Sequence, residues 1–260
     1  MKRILALCAG VSCAASAFGA LPLIEDFGSY ADAAAFNAAW NASGPSPTYT
    51  WDANFGNPNP GYNMPAPTAS VVRHGRNLGV NYIPTDAAPL RMSFDFYLDP
   101  AGQATNWNGA RHYVELRGYA GDALNVGALE SLVAIGAFNT SGDSFSTTRY
   151  QGRGLGLSPA PGNGWVTLDQ EAGAPTRQAG WVNLAVEIGD TAMRFFVNNA
   201  LVETTARPGA TFGFDSIVLG SGLTAAGHNS GIDNLRVEIV PEPASLSLLA
   251  LGALAALRRR

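Results

Sequence analysis

The amino-acid sequence predicts an all-β fold, an antiparallel β-sandwich built from about ten or more short strands. The main observation is alternation: from Leu90 to Leu98 every second residue is apolar, which gives a strand one apolar face. Glycine, proline and asparagine interrupt such segments at short intervals, as they do in turns. The chain has no internal repeat of roughly 20 to 50 residues, which disfavours a propeller or a solenoid.

Further strands follow along the chain. The pairs Gly189-Asp190 and Asn198-Asn199 separate consecutive apolar segments, and asparagine tolerates the positive φ of tight hairpins. Helical periodicity is confined to Tyr30–Trp40, which predicts one short helix. The other main strands are predicted over His112–Tyr119, Leu132–Phe138, Trp181–Ile188, Met193–Val197, Leu201–Thr204, Phe214–Gly220 and Ile232–Val240.

Residues 1–19 are predicted to be a secretory signal peptide. Lys2 and Arg3 precede a small and apolar run from Ile4 to Phe18, which ends in small-residue cleavage patterns. The alternative is a buried N-terminal helix. Both cysteines, Cys8 and Cys13, lie in this segment, so we expect a mature chain without disulfides, thiolate nucleophiles or cysteine metal ligands.

The C-terminal segment, residues 240–260, combines three features in a fixed order. A Pro-Glu-Pro motif is followed by 14 residues that contain only Ala, Leu, Gly and Ser, and the chain ends in three arginines. As a helix the apolar run would span roughly 21 Å, less than the ~30 Å hydrocarbon core of a membrane. Terminal arginines stay on the cytoplasmic side, which would leave the body of the protein outside.

This tail resembles the PEP-CTERM sorting signal of Gram-negative bacteria. The resemblance implies transient insertion into the inner membrane, cleavage near the Pro-Glu-Pro motif by an exosortase, and delivery to the cell surface or extracellular matrix. Signal peptidase would process the other end. Proteins with this signal usually accompany exopolysaccharide and biofilm production; a plain tail anchor is the alternative. The residues that carry the resemblance are Pro241, Glu242, Pro243, Arg258, Arg259 and Arg260.

The body between the two termini, residues 20–239, is predicted to be the sandwich domain. Up to residue 240 it holds 11 arginines, no lysine and 19 acidic residues, a net charge of −8. Such a charge repels phosphate backbones, so we expect no nucleic-acid partner. It permits Ca²⁺, which prefers carboxylate and carbonyl oxygen.

Two stretches of the body resemble concanavalin A-like and laminin-G-like sandwiches. In Trp181–Thr204 a strand led by tryptophan precedes a short strand, a tight turn and an apolar strand, with Asn198-Asn199-Ala200 in place of the usual glycine turn. Ser230–Val237 is similar to the last strand of such domains in PEP-CTERM proteins. The resemblance implies a jelly-roll arrangement.

No motif of a known catalytic site is present, so we expect a protein that is not an enzyme. The three histidines lack zinc-hydrolase spacing, and neither a nucleophile elbow nor a phosphate-binding loop occurs. The clustered carboxylates of concanavalin A-like glucanases are also missing. The alternative is a glycoside hydrolase or polysaccharide lyase that uses an unfamiliar arrangement of acids, for example Asp95 or Glu115.

A structural calcium site is the one cofactor that the sequence suggests. If the first and last strands lie side by side, Glu25 and Asp26 converge with Asp233, and Asn234 or a carbonyl completes the oxygen shell. Facing carboxylates repel one another unless a cation compensates them. The alternative is that these acids are separately solvated, or paired with Arg236.

The binding candidates are aromatic residues in loops rich in Asn, Pro and Gly. Aromatic faces stack on the C–H surfaces of sugars, and neighbouring amides bond to hydroxyls. The alternative is that these rings cover the ends of the sandwich core. We therefore predict an exported surface or matrix protein that binds a glycan, such as exopolysaccharide, or is purely structural. The candidate ligand-binding residues are Trp40, Tyr49, Trp51, Tyr62 and Trp107.

Overall fold

Two antiparallel sheets pack against each other around a shared apolar core, as expected for an all-β sandwich. The computed structural model describes residues 21–43, 50–65, 73–139, 146–155, 164–207, 212–220 and 227–240. The predicted signal peptide and the predicted C-terminal apolar helix lie outside these ranges and stay predictions. Within the described ranges, no helix has the length and apolar character needed to cross a membrane.

The described chain contains one α-helix, one 3₁₀-helix and fifteen strands. The helix α1 spans Ala33–Ala39 and the 3₁₀-helix spans Pro100–Thr105. The strands are β1 Leu23–Glu25, β2 Asn41–Ser43, β3 Thr50–Asp52, β4 Gly61–Met64, β5 Arg73–Tyr82, β6 Leu90–Leu98, β7 Arg111–Tyr119, β8 Leu129–Phe138, β9 Gln151–Leu155, β10 Trp165–Thr167, β11 Gly180–Ile188, β12 Ala192–Val197, β13 Ala200–Ala206, β14 Phe214–Gly220 and β15 Ser230–Ile239.

The first sheet has eight strands in the order β13-β12-β11-β6-β15-β4-β3, with β1 also paired to β15. The first and last strands are therefore neighbours, as predicted, with Glu25 opposite Leu235. The hairpin between β12 and β13 turns at Asn198 and Asn199, whose φ angles of 49° and 63° confirm the expected positive-φ turn. The second sheet has seven strands in the order β10-β9-β8-β7-β14-β5-β2.

Strand alternation decides which side chains enter the core. In β6 the residues Leu90, Met92, Phe94, Phe96 and Leu98 are fully buried, and the residues between them are half-buried on the outer face. Burying each such side chain contributes about 1.5–3 kcal/mol, which fixes the register of the strand. The predicted alternation of this segment is confirmed.

The predicted helix is confirmed in shortened form. Asp32 caps α1, since its Oδ1 accepts a hydrogen bond of 2.8 Å from the Ala35 backbone N–H. Phe36 is the buried residue of the helix, and the chain leaves the helical conformation at Trp40. The helix thus places the Phe36 ring against the buried rings of Trp40 and Tyr62.

Candidate functional site

Three aromatic side chains meet on the outer face of the eight-stranded sheet. Tyr97 lies on β6, Trp181 lies opposite it on β11, and Phe55 comes from the segment between β3 and β4. Each pair of ring centroids is 5.3 Å apart, and the rings meet tilted or edge-on. All three are half-buried, so part of each side chain remains open to solvent. We call these residues the aromatic patch.

Strand alternation and a single glycine determine where the side chains of the aromatic patch lie. The neighbours of Tyr97 and Trp181 include buried core residues, so both side chains project to the opposite, outer face. Phe55 packs over Gly231 of β15, where an added Cβ would lie only 2.0 Å from the ring carbon Cε1. A larger residue at that position would displace the Phe55 ring.

A cluster of amides and carboxylates borders the aromatic patch. Asp95 on β6 faces Asn183 on β11 and Asp233 on β15. Asn183 Nδ2 donates to Asp95 Oδ1 over 3.0 Å. The Nδ2 groups of Asn57 and Asn234 donate to Asp95 Oδ2 over 3.2 and 2.9 Å. We call these five residues the amide cluster.

A bulge in β15 brings Asn234 into the amide cluster. The pairing of β15 with β6 shifts between Asp233 and Arg236, and Asn234 adopts a left-handed conformation with φ of 50°. Its Nδ2 also donates to the carbonyl oxygen of Asn57 over 2.6 Å. The bulge therefore ties the segment that carries Phe55 and Asn57 to the sheet.

The carboxylates of this region interact electrostatically. Burial raises the pKa of Asp233, and the negative charges of Asp95 and Asp26 raise it further. The backbone N–H groups of Asn57 and Asn234 donate to Asp233 and act in the opposite direction. The cluster is therefore held in place by amide donors and carries negative charge.

The patch and the cluster together offer two kinds of contact within one area. The aromatic rings offer apolar faces, and the neighbouring amides and carboxylates offer hydrogen-bond donors and acceptors. A polyhydroxylated ring, with C–H faces and hydroxyl edges, has the complementary chemistry. Tyr97 and Trp181 are absent from the sequence-predicted candidates, although the alternation in their strands is the signal that would select them.

Three of the sequence-predicted binding residues lie in the core. Trp40 and Tyr62 are fully buried, and Trp107 is 2% exposed. The indole N–H groups of Trp40 and Trp107 donate to Tyr30 Oη and to the Asp99 carbonyl oxygen, over 3.0 and 2.7 Å. These rings therefore cover the interior of the sandwich, which was the alternative interpretation of the same residues.

The other two predicted aromatic residues differ in position. Trp51 is half-buried on β3 and donates its indole N–H to the Phe27 carbonyl oxygen over 2.8 Å. Tyr49 lies outside the described residues. Trp51 lies on β3, outside the aromatic patch, and a binding role for Trp51 and Tyr49 stays a prediction.

The predicted calcium ligands are placed near one another but have separate partners. Glu25 accepts hydrogen bonds from the Phe27 backbone N–H over 2.9 Å and from Tyr30 Oη over 2.6 Å. Asp26 accepts from a backbone N–H two residues on, and its negative charge raises the pKa of Asp233. In the described part of the chain, no group of three or more His, Cys, Asp or Glu side chains is arranged to hold a metal ion. Calcium binding stays a prediction.

The two acids considered for catalysis are on different sheets. Asp95 lies on the outer face of the eight-stranded sheet, and Glu115 lies on β7 of the seven-stranded sheet. Acid and base must flank the same scissile bond, so these two cannot act as a pair on one sugar linkage. Glu115 is 1% exposed and accepts a hydrogen bond of 2.8 Å from Arg117 Nε.

The fold and the outer surface define an antiparallel β-sandwich that carries an aromatic patch and an amide cluster. At the C-terminus, residues 240–260 match the model of the PEP-CTERM protein-sorting motif. The chain therefore carries a PEP-CTERM sorting motif, which confirms the resemblance that the sequence indicates. A comparison with curated protein sequences finds no match.

Solved structures resemble the chain only distantly. A sialidase has 12% identity and a TM-score of 0.48, over 86% of this chain and 19% of the sialidase. The chain thus spans about a fifth of that protein's length. A protein of unknown function with a galectin-like fold from Bacillus subtilis has 9% identity and a TM-score of 0.47, over 79% and 91% of the two chains. Carbohydrate binding module CBM66 from Bacillus subtilis has 8% identity and a TM-score of 0.43, over 77% and 95%.

Proposed function

We propose that this chain is an exported surface or matrix protein whose sandwich binds a neutral glycan without catalysing its cleavage. The observation that carries the proposal is the aromatic patch beside the amide cluster. Three half-buried rings within 5.3 Å of one another adjoin four side chains that bond directly to Asp95 or face it across the sheet. The binding surface is therefore the outer face of the eight-stranded sheet.

The amide cluster favours binding over catalysis. Both oxygens of Asp95 already accept hydrogen bonds from asparagine amides, which fixes the carboxylate in one orientation. Such a group can orient a sugar hydroxyl through its neighbours, whereas a general acid must carry and release a proton at the glycosidic oxygen. The proposed role of Asp95 is to position the asparagine side chains.

Sorting supports a role outside the cytoplasm. The PEP-CTERM motif marks a protein that is exported and sorted to the cell surface, with an exosortase as its processing partner. We further propose that the C-terminal segment inserts transiently into the inner membrane of a Gram-negative cell before cleavage. We propose that the glycan is an exopolysaccharide exported by the same cell.

The test is glycan binding by the purified body, residues 20–240, on a panel of neutral polysaccharides. We expect Trp181→Ala to weaken binding about tenfold, because the loss of one stacking ring costs about 1.4 kcal/mol. Affinity electrophoresis and calorimetry measure the change. Trp51→Ala is the matched control, since Trp51 is a half-buried tryptophan outside the patch.

Two results would contradict the proposal. One is a native body that is folded and binds no neutral glycan in the panel. The other is loss of binding in Trp51→Ala together with full binding in Trp181→Ala. That result would place the binding site at the residues that the sequence predicts and not at the aromatic patch.

A further inference from the structure

The outer face of the seven-stranded sheet collects positive charge on an otherwise acidic body. Four of the 11 arginines of the body project there, from β5, β7 and β9. Arg117 alternates with the core residue Leu116, and Arg153 lies two strands away, opposite Ala134, which itself pairs with Glu115. The members of this group are Arg73, Arg111, Arg117 and Arg153. We call it the arginine face.

Aromatic rings underlie part of the arginine face. Phe138 and Trp165 stack with centroids 4.1 Å apart and planes 3° from parallel. The guanidinium of Arg111 lies over Phe138, and that of Arg153 lies over Trp165, each at 5.5 Å. Cation–π attraction therefore holds two of the cations over these rings.

A small pocket opens between the other two arginines. Arg73 and Arg117 line it, and Val218 and Gly75 form its floor on paired strands. An added Cβ at Gly75 would lie 2.6 Å from Leu124 Cδ2, so the glycine leaves room for the Leu124 side chain at the pocket wall. The rim carries the exposed amides of Asn41 and Asn125.

Arg117 is held in place and retains donors. Its Nε and one terminal nitrogen donate to Glu115 Oε2, and Nη1 donates to Tyr119 Oη over 2.9 Å. These bonds use three of the five N–H groups of a guanidinium, which leaves two for a further acceptor. Asn125 Oδ1 accepts from Tyr119 Oη over 3.1 Å, which orients the amide at the rim.

The charges of this face converge on one region. Burial raises the pKa of the Tyr113 phenol and Glu115 raises it further, whereas the charges of Arg73, Arg153 and Arg117 each lower it. Tyr113 stands two residues from Glu115 on the same face of β7. Three guanidinium groups and the carboxylate of Glu115 therefore all act on the area around Tyr113.

We propose that this pocket is a second saccharide site, which takes the carboxylate of a uronic-acid polysaccharide. A carboxylate matches the paired N–H donors of an arginine, and the pocket of about 100 Å³ has room for that group while the sugar ring rests on the rim. The choice of a saccharide rests on the proposed function; the choice of an anion rests on the arginines alone.

The experiment compares polygalacturonate with a neutral glucan, using the same purified body. Arg73 is half-buried and lines the pocket, so we expect Arg73→Gln to weaken polygalacturonate binding at least tenfold, a loss of about 1.4 kcal/mol. Binding should also weaken as salt rises, because screening acts on charged partners. The matched control is Arg91→Gln, since Arg91 is half-buried on the other sheet.

The two proposals can fail separately. Loss of polygalacturonate binding in Arg73→Gln, with neutral-glycan binding intact, supports the second site. Equal polygalacturonate affinity in the native protein and in Arg73→Gln overturns it, as does a folded native protein that binds no polyuronate. Trp181→Ala should leave polyuronate binding unchanged, whatever it does to the neutral glycan. Binding of free inorganic sulfate by a protein that binds no polyuronate would also overturn the proposal.

Discussion

On the eight-stranded sheet the outer face presents asparagine amides and half-buried rings, whereas on the seven-stranded sheet it presents arginines above rings that are almost fully buried. Both faces arise from the same antiparallel alternation. The two faces differ in the groups that compensate the negative charge of their carboxylates. Asp95 receives amide hydrogen bonds at a partly open surface, while Glu115 is compensated by an ion pair with Arg117 that water barely reaches.

This difference has an energetic consequence. Charges in water are well solvated, so an exposed ion pair contributes little to stability. A buried charge is costly once its partner is removed, because no solvent replaces the lost interaction. We therefore expect the seven-stranded sheet to depend on its charged groups for stability, and the eight-stranded sheet to use its polar groups mainly for contact with ligands.

The largest effect should follow from breaking the buried ion pair. The side chains of Glu115 and Arg117 are 1% and 9% exposed. Arg117→Met leaves the Glu115 carboxylate buried without its ion-pair partner, and we expect a loss of about 3–5 kcal/mol in the free energy of unfolding. Urea denaturation measures it.

The matched control is on the other sheet. Arg91 and Glu187 approach to 3.4 Å and are about one-fifth exposed, so Arg91→Met should cost less than about 1 kcal/mol. The double variant Glu115→Gln with Arg117→Met should recover part of the loss. Equal losses for the two single variants would mean that the two faces do not differ in this respect.

The sequence predicts more of the fold than of the site. Alternation over Leu90–Leu98 and the turn at Asn198-Asn199 act locally, so the residue pattern alone is enough to predict both. Trp40 and Trp107 are candidate ligand contacts because they lie in loop-like sequence, yet both turn into the core. Burial of a loop residue depends on tertiary packing, which local pattern does not contain.

The aromatic patch shows the same limit from the other side. The alternation of inward and outward residues within each strand is enough to place Tyr97 and Trp181 on the outer face. The meeting of their rings with Phe55 needs the pairing of β11 with β6 and the close approach at Gly231, which are long-range features. The bulge that delivers Asn234 carries no sequence signal beyond the tolerance of asparagine for positive φ.

We expect a smaller effect from acid, which should act through buried histidines on the seven-stranded sheet. His74 on β5 and His112 on β7 are fully buried, and burial lowers the pKa of each from 6.5 to about 4. An amide oxygen only accepts, so the Nε2–H of His74 donates to Asn37 Oδ1. Because burial lowers its pKa, the ring is neutral at pH 7, and Nδ1 then accepts from Tyr62 Oη. The described strands of the eight-stranded sheet contain no histidine.

The direction of the acid effect on stability follows from the difference in histidine pKa between the folded and the unfolded protein. The unfolded histidines take up protons below pH about 6.5, while the folded ones resist protonation until about pH 4. Stability is therefore full above pH 6.5 and is lost as the pH falls. Between pH 7 and pH 5 we expect a loss of about 2 kcal/mol for each histidine.

Urea unfolding at pH 7, 6 and 5 measures this loss, and His112→Gln should remove its share. The window ends at pH 5 because burial raises the pKa of Asp215 and Asp233, and such carboxyls stabilise the fold when protonated. A loss of the same size in a variant that lacks both His74 and His112 would assign the acid response to other groups.

The smallest effect concerns the predicted calcium ion on the eight-stranded sheet. Burial raises the pKa of Asp233, and repulsion from Asp95 and Asp26 adds to the increase, a repulsion that a bound cation would relieve. At ten times its dissociation constant, Ca²⁺ should stabilise the native protein by about 1.4 kcal/mol relative to EDTA. Differential scanning calorimetry measures the shift in Tm. Asp233→Asn should abolish the shift in Tm. Asp52→Asn changes an acid on the same sheet that does not take part in this repulsion, and it should preserve the shift. An equal Tm in Ca²⁺ and in EDTA would contradict calcium binding by these acids.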